Sequence, residues 1–131
     1  MKIFNVEKIQ NEKGNIFKIL DEHKNLNRKF SEIYVTSVKF NQIKAWKKHK
    51  ITNLHLILLN GKVKVTSYKK NKFQSHILSK PLSHIIKVSR NEYFGFKGLS
   101  NTLSKILVIS DELHDSEEVK SYDINKIKFK W

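Results

Sequence analysis

Short runs of alternating apolar and polar residues recur along the chain. In the clearest of them, residues 62–68, lysines alternate with valines at a period of two, which is typical of a strand with one buried face. Long stretches with the 3.6-residue period of an amphipathic helix are missing. The runs that predict strands are 15–20, 32–40, 51–59, 62–68, 73–78, 84–88 and 103–109. Many short strands favour an all-β sandwich or barrel.

Turn-forming residues separate several of these runs. Asn60-Gly61 predicts a tight hairpin between the runs 51–59 and 62–68, and the polar stretch 69–72 predicts a second hairpin. A short helix within residues 7–20 remains an alternative to a strand there. No repeat or flexible linker divides the chain, so we expect a single domain over residues 1–131.

Composition removes several classes of function. The chain has no cysteine, which excludes disulfides, a thiolate nucleophile and cysteine-ligated metal sites. The first residues lack the apolar core of a signal peptide, and no window approaches the length of about 18 apolar residues that a membrane span needs. We therefore expect a cytoplasmic protein that does not enter a membrane.

The charge is strongly positive and unevenly distributed. Lysine and arginine number 26 against 12 acidic residues, for a net charge of +14, but only Arg28 and Arg90 are arginines. Lysine supplies diffuse attraction rather than base reading, so nucleic acid is a less favoured partner. Residues 33–91 hold thirteen cations and no carboxylate, whereas acids collect in residues 111–118. The central stretch suits a phosphorylated ligand, or else its lysines simply cover the outer faces of strands.

The segment 44–50 is the first candidate for chemistry. If it is extended, Lys47 and His49 share one face because side chains repeat every second residue. Neighbouring ammonium groups favour a neutral imidazole that accepts a proton. The alternative is an exposed basic edge on which Trp46 packs against a neighbour.

Two other groups are weaker candidates. Tyr93 lies in an aromatic and glycine-rich stretch, where it would stack on a flat ring or donate a proton, unless the stretch is simply buried core. His55 and Asn53 follow on the next predicted strand, and a satisfied core histidine is the alternative for His55. Because His49 and His55 have no carboxylate near them in the sequence, we expect no metal site.

Several of these stretches, taken in order, resemble a known family. The segments 32–38 and 44–50, then Asn53 and Asn60-Gly61, are similar to the core of the small cupins that act on dTDP-linked 4-keto-6-deoxy sugars. These are the dTDP-sugar 3,4-ketoisomerases and the dTDP-4-dehydrorhamnose 3,5-epimerases. The stretch 94–99 resembles the Gly-Phe passage of the epimerases, and residues 111–115 with Trp131 resemble the tail of epimerase-like members.

The resemblance implies an antiparallel jelly-roll barrel, a homodimer, a nucleotide sugar in the barrel mouth and no cofactor or required metal. It also implies that residues 111–131 form a C-terminal arm. The ketoisomerases carry a His-x-His pair at the positions of Lys47 and His49, so this chain keeps only the second histidine, and the epimerases have a phosphate-binding arginine where Lys44 stands. The epimerases' catalytic tyrosine falls near Leu107, which cannot transfer a proton.

Together, the residues and the resemblance predict an isomerase or epimerase of a dTDP-4-keto-6-deoxyhexose that serves surface polysaccharide synthesis. The predicted catalytic residues are His49, Lys47 and Tyr93, and the predicted ligand-binding residues are Lys44, Tyr34, Asn53 and His55. One alternative is a cupin that binds a nucleotide sugar without catalysis, and a less favoured one is a basic β-barrel that binds nucleic acid.

Overall fold

The computed structural model describes residues 1–19, 31–112 and 117–131, and nearly all of its regular structure is β. The strands are β1 (Lys2–Asn5), β2 (Glu7–Ile9), β3 (Ile16–Lys18), β4 (Glu32–Val38), β5 (Ile43–His49), β6 (Leu54–Asn60), β7 (Val63–Lys69), β8 (Lys72–Leu78), β9 (His84–Val88), β10 (Tyr93–Gly98), β11 (Ser104–Ser110) and β12 (Val119–Ser121). One 3-10 turn follows at Ile124–Lys126. Within the described ranges, no helix is long and apolar enough to span a bilayer.

Two five-stranded antiparallel sheets form the barrel. The first sheet has the order β1-β9-β6-β11-β4, and the second has the order β12-β5-β10-β7-β8. Apolar side chains from both sheets meet between them, among them Leu56 and Val108 from the first sheet and Val65 and Phe96 from the second. Burying each such side chain contributes about 1.5–3 kcal/mol. The prediction of an all-β antiparallel barrel is confirmed.

The first sheet also has a buried outer face. Ile57, Ile85 and Ile109 form a second apolar cluster there, against which Val6 and Leu82 pack. The small β2–β3 sheet belongs to the N-terminal segment, so the short helix considered within residues 7–20 is wrong for the described residues up to 19.

One of the two predicted hairpins is wrong. Asn60-Gly61 joins β6 to β7, but these strands lie in different sheets and do not pair, so the turn carries the chain across the barrel. The stretch 69–72 does close a hairpin, with Lys69 paired to Lys72 and positive φ angles at the two residues between them. At both turns, the alternation of apolar and polar residues indicates that each strand has one buried face. It does not indicate which other strand it pairs with.

The segment after Ser121 crosses the outer face of the second sheet. Trp46 is fully buried there, and its indole nitrogen donates to the carbonyl oxygens of Ile124 and Ile127 at 3.3 and 3.2 Å. The Phe129 and Trp131 rings pack on the Trp46 ring, with centroids 6.2 and 5.0 Å away. These contacts hold the end of the chain against β5, the strand that carries the candidate residues.

Candidate active site

A cavity opens into the barrel between the two sheets. Its volume is about 40 Å³, and it opens to solvent at its mouth. Apolar side chains make most of its wall, and its polar lining comes from β4 and β5. The lining residues are Tyr34, Thr36, Lys44, Lys47, Leu54, Leu56, Phe94, Phe96 and Val108.

An irregularity in β5 brings two lysines to this cavity. Phe94 of β10 pairs with Lys47, whereas Phe96, two residues on, pairs with Lys44, three residues back. The extra residue on β5 is a β-bulge, and it turns both lysines to the same side of a strand on which they would otherwise alternate. The bulge therefore places two ammonium groups at one opening of an otherwise apolar cavity.

Lys44 is exposed, and its amine bonds to β4, the edge strand of the other sheet. Its Nζ atom lies 2.9 Å from Thr36 Oγ1 and 3.3 Å from the Ser37 carbonyl oxygen. It also lies 5.8 Å from the centroid of the Phe96 ring. Burial, and the charge of Lys47, lower the pKa of the Lys44 amine below its usual range.

Tyr34 faces Lys44 and Lys47 from β4. Burial, and the nearby Glu32 carboxylate, raise the pKa of its phenol. The environment thus favours the neutral phenol of Tyr34 and the neutral amine of Lys44 relative to the free side chains. The shift moves the pKa of Lys44 toward neutral pH, whereas it makes the Tyr34 phenol a weaker acid.

His49 lies beside the cavity, in a smaller pocket that shares Tyr34 and Leu54 with it. Its ring stacks on Phe94 with centroids 5.9 Å apart, and its Nδ1 atom lies 2.9 Å from Glu118 Oε2. Because the Glu118 carboxylate accepts this hydrogen bond, Nδ1 carries a proton, and in the neutral ring the lone pair is then on Nε2. The period-two prediction that Lys47 and His49 share a face of β5 holds.

The lysines were expected to set the charge state of His49, but the charged group in contact with it is Glu118. Burial raises the pKa of Glu118, but hydrogen bonds from the Ile51 and Thr52 amides and from His49 outweigh burial, and the pKa lies below its usual value. Both amide bonds are formed, at 3.0 and 2.9 Å. The sequence offered one indirect sign of this residue, the collection of acids in 111–118 opposite a lysine-rich centre.

Tyr93 does not reach the cavity. Its neighbour Phe94 points inward, so Tyr93 faces outward, where Lys48 Nζ lies 4.8 Å from its ring and the Tyr122 ring lies 5.2 Å away. The aromatic stretch was predicted to supply a platform or acid, but the inward rings are those of Phe94 and Phe96. The phenol that lines the cavity is that of Tyr34.

Asn53 and His55 also lie away from the cavity. The Asn53 side chain donates to Asp111 Oδ2 at 2.7 Å and accepts from the Arg90 amide at 3.1 Å, so it ties loops together. His55 is 4% exposed on the outer face of the first sheet, because Leu54 and Leu56 on either side of it point inward. Within residues 1–19, 31–112 and 117–131, its Nε2 atom has no hydrogen-bond partner.

Nothing in the described part of the chain gathers three or more histidine, aspartate or glutamate side chains into a group that could hold a metal ion. Residues 113–116, which belong to the tail that resembles the epimerases, lie outside the described residues. The polar residues of the candidate site are Lys44, Lys47, Tyr34, His49 and Glu118.

Several solved enzymes of dTDP-linked sugars have a similar fold. A dTDP-sugar isomerase from Desulfovibrio desulfuricans is similar at a TM-score of 0.87 and 21% identity, over 99% of this chain and 89% of that one. A sugar 3,4-ketoisomerase from Thermoanaerobacterium thermosaccharolyticum, in complex with TDP, is similar at a TM-score of 0.77 and 16% identity, over 91% of this chain and 85% of that one. A dTDP-4-dehydrorhamnose 3,5-epimerase from Elizabethkingia anophelis is similar at a TM-score of 0.79 and 19% identity, over 94% of this chain and 75% of that one.

At these identities the similarity shows a shared fold, and it agrees with the fold that the sequence resemblance implied. No protein-family model matches the chain, and no curated protein matches it.

Proposed function

We propose that this protein binds a dTDP-linked 4-keto-6-deoxy sugar in the barrel cavity and moves a proton on a carbon beside the ketone. The observation that carries the proposal is the cavity itself, where Lys44, Lys47 and Tyr34 line an otherwise apolar wall. Support comes from the fold, which the chain shares with dTDP-sugar isomerases and epimerases.

The two lysines supply the charge for the ligand. A diphosphate needs cations, and an enolate oxygen needs a donor while negative charge develops on it. Lys44 and Lys47 present two ammonium groups on one side of the cavity because of the bulge in β5. One lysine serves the diphosphate and the other the carbonyl oxygen.

His49 and Tyr34 supply the base and the acid. Glu118 holds Nδ1 of His49, which leaves Nε2 to accept a proton. Tyr34 belongs to both the cavity and the His49 pocket, and its phenol O–H is the proton donor for the return step. Tyr93 has no part in this proposal because it lies on the outer face.

A homodimer is part of the proposal. Ile33 and Val35 of the edge strand β4 are 53% and 55% exposed, and they point away from the cavity that Tyr34 and Thr36 line. A second copy of the chain that packs on this face would bury them. Light scattering should give twice the monomer mass, and the double variant Ile33→Lys, Val35→Lys should give the monomer mass; a monomeric native protein would contradict the dimer.

The proposed setting is the cytoplasm and the synthesis of a surface polysaccharide. Genes for a sugar nucleotidyltransferase and a dehydratase beside this gene would support that setting, because they would supply the keto sugar.

Two measurements test the function. Calorimetric titration should give a micromolar affinity for dTDP. In deuterated buffer, the protein should then exchange hydrogen into dTDP-4-keto-6-deoxyglucose beside the ketone, which NMR detects. Affinity without exchange would support a non-catalytic sugar-nucleotide binder, and salt-sensitive binding to arbitrary duplexes without dTDP affinity would support the nucleic-acid alternative.

A further inference from the structure

The outer face of the second sheet carries a row of cations and aromatic rings. The registers of four strand pairs place one residue from each of the five strands in a line across the sheet. Paired residues of neighbouring strands have their side chains on the same face, so the whole row lies on the side of the sheet away from the cavity. From β12 to β8, the row is Lys120, Lys48, Tyr93, Tyr68 and Phe73.

The rings of this row contact one another and are partly open to solvent. The Tyr68 ring centroid lies 4.7 Å from that of Phe73 and 6.2 Å from that of Tyr93. The Tyr122 ring follows, 5.2 Å from the Tyr93 ring. Phe73 is 40% exposed, and the three tyrosines are half-buried. The sheet therefore presents four adjacent aromatic rings at its surface, and contiguous rings of this kind, unlike single ones, indicate an interaction site.

The charge around these rings is positive. The five strands of the second sheet contain lysines and no carboxylate. Lys48 Nζ lies 4.8 Å from the centroid of the Tyr93 ring. Lys69 Nζ lies 3.5 Å from the Arg90 carbonyl oxygen, which joins the two turns next to the row. The exposed cations at this end of the strands are Lys50, Lys69, Lys70, Lys72 and Arg90.

The carboxylates that flank the row in the sequence leave this charge in place. Glu92 precedes Tyr93, but it is 2% exposed and already belongs to an ion pair. Glu118 is buried on the inner side, where it binds His49. Glu117 and Asp123 are exposed, and both lie beside β12, at one end of the row. From β5 to β8 the rings are therefore bordered by cations, a surface complementary to a chain of phosphates with flat groups between them.

We propose that this face binds single-stranded nucleic acid, with bases stacked on the rings and phosphates bound by the lysines. Stacking on aromatic side chains accepts any base, and lysine binds phosphate without reading sequence, so the binding should have little sequence preference. The excess of lysine over arginine, which argues against base reading, is compatible with this mode. The proposal goes beyond the proposed function, because the face lies across the sheet from the cavity. The face also stays open in the proposed dimer, because β4 belongs to the other sheet.

The rings distinguish a single strand from other polyanions. In a duplex, the bases are stacked on one another, whereas the unstacked bases of a single strand can lie against side chains at a surface. A membrane or a charged polysaccharide would need only the ammonium groups, and the four adjacent rings would then have no partner. Antiparallel sheets that bind single-stranded RNA use surface aromatic residues in this way.

Fluorescence anisotropy tests the proposal. The full chain is titrated into a labelled oligo(dT) of about 12 nucleotides, and into a duplex of the same length, at about 0.15 M salt. We expect a dissociation constant of about 10⁻⁵ M for the single strand, and about tenfold weaker binding of the duplex. Micromolar dTDP should leave the affinity for the single strand unchanged, because the cavity lies on the other side of the sheet.

Matched variants separate stacking from charge. Tyr93→Leu removes the central ring and should weaken oligo(dT) binding about tenfold, whereas Tyr93→Phe keeps the ring and should bind as the native protein does. Phe73→Leu removes a ring at the exposed end of the row and should act in the same direction as Tyr93→Leu. Lys48→Gln should lower the slope of log affinity against log salt by about one. Lys105→Gln removes an exposed charge from β11 of the first sheet and should leave the slope near its native value. Circular dichroism shows whether each variant is folded.

Four results would overturn the proposal. Native affinity for oligo(dT) in the folded ring variants would show that charge alone binds the strand. Tighter binding of the duplex, of heparin or of vesicles that contain phosphatidylserine would assign the face to another polyanion. Competition by dTDP would place the strand in the cavity, and a lack of oligo(dT) binding would exclude the proposal outright. None of these results bears on hydrogen exchange into the keto sugar, which tests the proposed function separately.

Discussion

His49 Nδ1 lies 2.9 Å from Glu118 Oε2, although 69 positions separate the two residues in the chain. The pairing of β12 with β5 brings them together, with Val119 opposite His49. Both side chains are buried, and the carboxylate also accepts from the Ile51 and Thr52 amides. The imidazole is therefore fixed in orientation and in tautomer, which a base needs if it is to act on one face of a sugar.

Replacing His49 with Asn should abolish proton transfer. Loss of a positioned base lowers the rate by about 10² to 10⁴-fold. The affinity for dTDP should stay near that of the native protein, because the lysines are unchanged. Exchange into the keto sugar is measured by NMR, with His84→Asn as a control, since His84 borders a separate groove. Unchanged exchange in the His49 variant would remove this residue from the mechanism.

Glu118→Gln should reduce exchange by up to about 10⁴-fold while keeping the shape of the side chain. The amide oxygen still accepts from the Ile51 and Thr52 amides, so the amide nitrogen faces His49 Nδ1 and forces the other tautomer, whose Nε2 cannot accept a proton. The free energy of unfolding should fall by about 1–3 kcal/mol.

The pH profile separates orientation from simple destabilisation at Glu118. A positioning role predicts that the pH dependence of exchange changes along with the rate. Glu117→Gln makes the same change at the exposed neighbour and should leave both unchanged. A native pH profile in the Glu118 variant would argue against the orienting role.

His55 should make the protein sensitive to mild acid. Burial, and then Lys87, lower its pKa from 6.5 to about 4. Between these values the unfolded chain binds a proton that the folded chain does not, so acid favours unfolding. The free energy of unfolding should fall by about 3 kcal/mol as the pH falls from 6.5 to 4. Glu118, whose pKa is lowered, loses its contribution at lower pH, below its ordinary value of 4.5.

His55→Leu should remove this sensitivity. A leucine fits the cluster of Ile57, Ile85 and Ile109 and leaves no unpartnered Nε2 atom. Urea unfolding at several pH values between 4 and 7 measures the difference between the variant and the native protein. That difference should grow in favour of the variant toward acid, and a constant offset at every pH would contradict the assignment to His55.

Trp131→Ala should loosen the C-terminal segment. The Trp131 ring packs on Trp46, and its edge lies 2.9 Å from the position that a side chain at Gly95 would take. Loss of a half-buried indole should lower the free energy of unfolding by about 2 kcal/mol. Because the same segment continues from β12 and Glu118, hydrogen exchange into the keto sugar should fall too. Lys130→Ala, at an exposed position, is the control, and equal effects of the two variants would contradict the anchoring role.

Some strands could be predicted because their signal is local. The alternation in residues 62–68 and 73–78, with the turn between them, is sufficient for β7, β8 and their hairpin. The strands β5 and β10 were not predicted: Trp46 is apolar on the outer side of β5, and Gly95 interrupts β10. The C-terminal segment covers the outer faces of these two strands. Their sequences therefore lack the alternation of apolar and polar residues from which a strand is predicted.

Local chemistry also explains which site residues could be predicted. Four of the predicted residues lie around the cavity, namely Lys44, Lys47, Tyr34 and His49. They come from two short segments, 32–38 and 44–50, in which neighbouring residues already indicate the chemistry. Tyr93 was predicted by residue type alone, which does not tell on which side of the strand a tyrosine lies.

By itself, the sequence determined that the chain is an all-β domain with a lysine-rich centre, because alternation and charge are properties of neighbouring residues. Only the tertiary structure decided that Asn60-Gly61 crosses between sheets, that the β5 bulge brings Lys44 and Lys47 to one side, and that Glu118 holds His49. These features depend on which distant strands pair, and strand pairing is set by the burial of whole faces rather than by any local pattern.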